Sequence, residues 1–204
     1  DCRTPFSVLK PDGTLDQERD PKLSTEAARH LYETMVLTRI LDERMTMLQR
    51  QGRIGFHIGS FGEEATIVGS AAGLEAGDFI FPCYREIGAA LYRGFSLEKY
   101  MHNMFGTADD TVKGHQMPDH YSAREVLFGS VSSPVGTQIP QAVGYAWAAR
   151  YKGEKSVALV YFGEGATSEG DFHVGLNFAG VMKAPVVFLC RNNQRNEPSL
   201  AQIS

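Results

Sequence analysis

The chain has 204 residues, of which 43% are hydrophobic and 22% charged, enough for an ordinary globular domain with a sizeable core. Its net charge of -4 offers no basic footprint for nucleic acid, and no apolar run approaches the roughly 20 residues of a bilayer crossing, so neither nucleic acid nor membrane is an expected partner. The three cysteines, Cys2, Cys83 and Cys190, form no C-x-x-C pair, which argues against a disulfide framework or zinc site and for a reducing compartment; no targeting signal is visible.

Residues 1–22 contain Pro5, Pro11, Gly13 and Pro21 and read as an extended arm punctuated by turns, leaving residues 23–204 as the domain. Ser24-Thr25-Glu26 opens a long amphipathic helix, with Leu31, Met35, Leu37 or Thr38, Leu41, Met45 and Leu48 at helical spacing until Gln51-Gly52 stops it. That methionine-rich stripe is expected to be core or a subunit contact. After a glycine-rich stretch, a helix is expected from Glu63 to Leu74. A short strand follows at Phe79-Ile80-Phe81, and another helix from Cys83 through Tyr92. Residues 106–128 are polar and read as a long ordered loop. His57, His115 and His120 in glycine- or proline-bounded segments are expected to be structural hydrogen-bonders, and Cys83 to pack.

Next come an irregular turn at V-S-S-P-V-G-T, an alanine-rich helix, and a strand–helix–strand unit. Its strands, residues 157–162 and 185–189, are short and continuously apolar, as buried strands of a parallel sheet are. A right-handed crossover puts Glu164 and Asn193 just past the carboxyl ends of neighbouring strands, where open α/β sheets bind ligands. A carboxylate and a carboxamide are hard oxygen donors suited to Mg²⁺ that also holds phosphate oxygens. Gly163 and Gly165 permit close backbone approach, and a helix starting near Ser168 aims its positive end at the same place. G-E-G-A-T-S-E-G does not keep G-x-G-x-x-G spacing and lacks G-K-[ST], which excludes a dinucleotide fingerprint and a P-loop.

The segment Y-F-G-E-G-A-T-S-E-G-D, followed after the next strand by R-N-N, resembles the thiamine-diphosphate motif of 2-oxo acid dehydrogenase alpha subunits. The resemblance covers residues 23–193 and is closest to the branched-chain (2-oxoisovalerate) type. It runs through R-Q-G-R-I-G-F, S-F-G-E-E-A-T-I-V-G-S-A-A-G-L, Y-R-E-I-G, K-G-H-Q-M-P-D-H-Y and S-S-P-V-G-T-Q-I-P-Q-A-V-G. It implies an α/β thiamine-diphosphate-binding fold, a parallel sheet flanked by helices. Glu164 and Asn193 would ligate Mg²⁺, with a third contact from the backbone of Arg195. Gly165 and Ala166 would meet the diphosphate through their backbone, and Tyr84, Arg85 and Arg191 would grip its oxygens, as a guanidinium fork suits phosphate. Ser133 and Val135 match positions lining the aminopyrimidine and thiazolium. Ser132, Pro134, Thr137 and Gln138 match a loop that holds potassium in the mammalian enzyme.

The activity so implied is oxidative decarboxylation of branched-chain 2-oxo acids, with the acyl group passed to lipoyl; a pyruvate or acetoin dehydrogenase alpha subunit is the alternative. The partners implied are a beta subunit in a two-alpha two-beta heterotetramer and a lipoyl acyltransferase core, in a bacterial cytoplasm or a mitochondrial matrix. The family's catalytic histidine belongs to a loop C-terminal to N-N that these residues do not include. No catalytic residue is therefore expected within them, and a non-catalytic partner-binding remnant is a rival reading.

Overall fold

A computed structural model describes residues 6–192, with helices packed on both faces of a parallel sheet. Residues 6–24 form no helix; a bridge between Leu9 and Leu15 closes a small turn. Helix α1, Thr25–Arg50, starts where Ser24 Oγ accepts the Ala27 N–H at 3.1 Å, and it ends at Gln51 before Gly52, whose φ of 69° only glycine adopts freely. Its buried face is Thr34, Thr38, Leu41, Asp42, Met45 and Leu48. Thr38 rather than Leu37 faces inward, and the stripe includes a carboxylate that hydrophobic periodicity passes over.

Helix α2 spans Glu64–Ala72 and strand β1 Phe79–Phe81, as the sequence predicts. Helix α3, Ile87–Tyr92, starts four residues later than expected, because the Glu86 carboxylate takes the N–H groups of Cys83 at 2.8 Å and Arg85 at 3.1 Å and holds residues 83–85 in a turn. Helix α4, Leu97–Phe105, was not anticipated; Ser96 caps its start and Gly106, at φ 60°, its end. The polar loop is ordered by Asp110, which accepts from Val112, Gly114 and Asn103. It contains a 3-10 turn, Arg124–Val126, and Phe128 bridges to Ile80, covering the free edge of β1.

Helix α5, Gln138–Tyr151, precedes strand β2, Ala158–Gly163; a 3-10 turn Glu164–Ser168 leads into helix α6, Gly170–Met182, and strand β3 is Val186–Arg191. The sheet order is β1-β2-β3, all parallel, with Phe79 opposite Ala158 and Gly163 opposite Arg191. Side chains of β2 alternate between two cores. Leu159 and Tyr161 join the cluster under α1 to α4, whereas Ala158, Val160 and Phe162 join the cluster under α5 and α6. The expectation of two buried strands holds for β2 alone. Among the described residues β3 has one neighbour, and Val187 on it is 49% exposed. Against α5, Gly175 of α6 lies so close to Ile139 that an added Cβ would sit 2.6 Å from its Cγ2. Among the described residues no helix is long and apolar enough to cross a membrane.

Candidate functional site

Each strand of a parallel sheet delivers its next residue to the same edge. Here β1 runs out into Tyr84-Arg85, β2 into Glu164-Gly165-Ala166, and β3 ends in Arg191-Asn192. A cleft of about 690 Å³ lies there, lined by Phe61, Gly62, Glu63, Thr66, Arg85, Cys190, Arg191 and Asn192.

The half-buried Arg85 donates from Nη1 to the Gly59 carbonyl, and its guanidinium lies 5.5 Å from the centre of the Tyr84 ring. Arg191 is held between two carboxylates, Nη1 on Glu63 and Nη2 at 2.9 Å from Glu86 Oε1. The Glu86 contact is a charge pair outside hydrogen-bonding geometry, and Arg191 Nε is buried with no hydrogen-bond partner. Burial alone would lower the Arg191 pKa, but the Glu86 and Glu63 charges outweigh it and keep the guanidinium cationic. Burial raises the Cys190 thiol, and the Glu164 charge raises it further, so the Glu164 carboxylate acts on the end of the neighbouring strand. The backbone turn at Glu164 is closed by Thr167 Oγ1 donating to its carbonyl at 2.6 Å. Cys83 is buried, which pushes its thiol up to about 12 and leaves it a packing residue.

The turn before α5 gathers a second group of the expected residues. Thr137 Oγ1 lies 2.7 Å from Ser132 Oγ and donates to the Pro134 carbonyl at 3.1 Å, so three oxygens converge. Gln138 points elsewhere, donating its side-chain amide to the Tyr161 carbonyl at 2.8 Å. Val135 packs against the core that contains Ala166. Ser133 Oγ lies 2.7 Å from His120 Nε2, and His120 Nδ1 lies 3.0 Å from the Pro118 carbonyl, which can only accept; in the neutral ring Nε2 therefore accepts from Ser133. Asn193 and Arg195 lie outside the described residues. Among the described residues no three His, Cys, Asp or Glu side chains form a metal cluster.

Sequence reasoning missed the carboxylates behind this edge. Glu63 and Glu86 brace Arg191, and a buried set of Asp42, His57 and Asp119 braces the loop that carries Gly59. His57 Nδ1 is 3.0 Å from Asp119 Oδ2 and Nε2 is 3.5 Å from Asp42 Oδ1. A signal existed in Asp42, an acidic residue inside the apolar stripe of α1.

Residues 32–196 match the family described as the dehydrogenase E1 component. The chain belongs to that family. Its parallel sheet flanked by helices is the thiamine-diphosphate-binding fold of E1 components. This E1 chain is 47% identical over 180 residues to the alpha subunit of 2-oxoisovalerate dehydrogenase, mitochondrial, of Caenorhabditis elegans, covering 88% of the chain and 42% of that protein. It is 47% identical over 189 residues to the protein of the same name from Homo sapiens (92% and 42%), and 43% identical over 190 residues to that of Dictyostelium discoideum (93% and 43%). The chain thus spans less than half the length of these relatives.

Proposed function

We propose that this E1 chain is the alpha subunit of a branched-chain 2-oxo acid dehydrogenase that grips the diphosphate of thiamine diphosphate, with Mg²⁺, at the carboxyl edge of its sheet. The observation that carries the reading is that the segments leaving three adjacent parallel strands, with Arg85, Glu164 and Asn192, share one edge of the sheet, where Arg85 and Asn192 line one open cleft. The relatives, each named for 2-oxoisovalerate, favour branched-chain substrates over pyruvate or acetoin.

The residues fit the group. Mg²⁺ bound with phosphate takes few protein oxygens, so Glu164 with Asn193, and the Arg195 carbonyl as a third donor, would hold it without an acidic cluster. Arg85 supplies a fork donor and Tyr84 the ring that steadies it; the backbone of Gly165 and Ala166 leads toward the first turn of α6, whose N–H groups favour an anion. Arg191, paired to two glutamates, holds the strand end in place. Val135, backed by the second core, would supply apolar bulk for the cofactor's rings, and Ser133, fixed by His120, a hydroxyl for them. Potassium, if the chain takes it, fits the converging oxygens of Ser132, Pro134 and Thr137 better than Gln138. When bound, thiamine diphosphate supplies the electron sink for decarboxylation of the 2-oxo acid.

The remaining chemistry belongs to a beta subunit, in a two-alpha two-beta heterotetramer that serves a lipoyl acyltransferase core. The test is thermal unfolding of the co-expressed pair. Mg²⁺ and thiamine diphosphate together raise the melting temperature, and Glu164→Ala abolishes the rise. Decarboxylation of branched-chain 2-oxo acids ahead of pyruvate is the expected selectivity. No rise in the wild-type pair overturns the reading.

A further inference from the structure

The segment carrying Gly59 is clamped from both sides. Ile58 N–H donates to Asp119 Oδ2 at 2.8 Å, and Ser60 donates to Asp42 Oδ2 through N–H at 2.6 Å and Oγ at 2.7 Å. Between these carboxylates lies the His57 ring, one nitrogen facing each, its side chain 2% exposed. The carboxylates already accept other donors, including Tyr100 Oη–H at 2.6 Å on Asp119 Oδ1. Nδ1 hydrogen-bonds Asp119, whereas Nε2 and Asp42 Oδ1, 3.5 Å apart, form a charge pair outside hydrogen-bonding geometry; two flanking carboxylates favour the protonated ring. Gly59 itself has no room for a side chain, since an added Cβ would meet the Phe61 ring at 2.7 Å and Asp42 Cγ at 3.3 Å.

Two of the expected cofactor contacts hang on this clamp. Arg85 donates to the carbonyl of Gly59, and His120, the residue after Asp119, holds Ser133. We propose that the buried Asp42–His57–Asp119 bridge is a positioning device that sets Arg85 and Ser133, on two separate loops, in register for one diphosphate cofactor. The inference rests on the functional reading above. Neutralising His57 removes the cation between the two carboxylates, which then repel, loosens residues 58–60, and lets the Gly59 carbonyl drift from under Arg85.

The titratable groups facing His57 are Asp42 on α1 and Asp119 on the polar loop; Tyr100 on α4 and Tyr121 on the polar loop lie near those aspartates, and burial raises both tyrosine pKa values and keeps them neutral. Arg39 on α1 lies near Asp42. Burial alone lowers the His57 pKa, but the hydrogen bond to Asp119 and the charges of Asp119 and Asp42 outweigh it and raise it to about 9.

The experiment uses the full-length protein with its co-expressed beta subunit. Imidazole titration by NMR follows His57, and calorimetry measures thiamine diphosphate binding in the presence of Mg²⁺ between about pH 7.5 and about pH 9.5, above the pKa near 6 of a phosphate's last proton. Affinity is expected to weaken by about tenfold as His57 loses its proton, a typical coupling between linked sites. The two midpoints coincide, and Asp119→Asn moves both down together. His57→Gln binds about tenfold more weakly at low pH and has a flat profile. If His57→Gln does not fold, the wild-type profile decides. Binding that is independent of pH, or a His57 midpoint near the free-imidazole value of about 6.5, overturns the inference alone. No cofactor binding at any pH overturns the functional reading and the inference with it.

Discussion

Arg191 closes β3 with its Nη2 2.9 Å from the carboxylate of Glu86, the residue that opens α3, while its Nη1 meets Glu63, which precedes α2. One guanidinium thus ties a strand end to the starts of two helices. The same Glu86 carboxylate turns the chain at residues 83–85 and so aims Arg85 at the cleft. Glu86 is 1% exposed, and burial raises its pKa despite the opposing charge of Arg191. Ionic pairs this far from water stabilise little relative to apolar packing, but breaking one leaves a buried charge.

Arg191→Met is therefore expected to lose about 3–5 kcal/mol in urea unfolding near neutral pH. The loss shrinks at lower pH, because Glu86, deprived of its cation, takes up a proton in the folded state. Adding Glu86→Gln recovers part of the stability, since no charge is then left alone. An unchanged urea midpoint in Arg191→Met at neutral pH refutes the structural role.

The contact between Gly175 and Ile139 sets how closely α6 approaches α5. Gly175→Ala forces a methyl against Ile139 Cγ2 and is expected to cost about 1–3 kcal/mol, although alanine is the better helix former. Ile139→Ala alone costs about 2–5 kcal/mol by leaving a cavity. The double variant is more stable than the two losses summed, because the added methyl occupies the vacated space. Strict additivity in a double-mutant cycle contradicts this packing.

The elements legible in the sequence were those whose apolar pattern is unbroken. Helix α1 has a serine cap and a long stripe, and β2 is a continuous apolar run between turns. Helix α4 was hidden because Asn103 is buried among Tyr100 and Met104, which breaks the apolar period. The start of α3 was misplaced because a side chain, not a propensity, holds the preceding turn. At the site, Glu164 was legible because it follows a strand end, and Arg85 only through the resemblance of its Y-R block. The bridge behind them was not, since His57 and Asp119 stand 62 residues apart and nothing local to either names its partner.

Arg93 donates to four carbonyls, from Nε to Val126 at 2.9 Å and from Nη1 and Nη2 to Glu75 at 3.3 Å, Ala76 at 3.2 Å and Asp78 at 3.0 Å. It fastens the turn before β1 to the end of the polar loop. Arg93→Met removes a charged donor from all four and is expected to cost about 2–3 kcal/mol in urea unfolding. Lysine has one compact ammonium and cannot span the four, so Arg93→Lys restores less than half of the loss. Full rescue by lysine contradicts the fork geometry.

Stability also depends on pH through His57. Its folded pKa, about 9, lies above the ordinary histidine value of about 6.5 in the unfolded chain, so the folded state binds the proton more tightly. The stabilisation is fully present below about pH 6.5 and is lost as pH rises through about 9. Wild-type urea midpoints are expected to fall steadily across that window, and His57→Gln, which has no proton to lose, to show a flatter dependence and a lower midpoint near neutrality. Asp119→Asn lies between them, since Asp42 still faces the ring at 3.5 Å. Parallel pH profiles for wild type and His57→Gln would mean that the ring is neutral between its two carboxylates, and the buried charge would then reside on Asp42 and Asp119 alone.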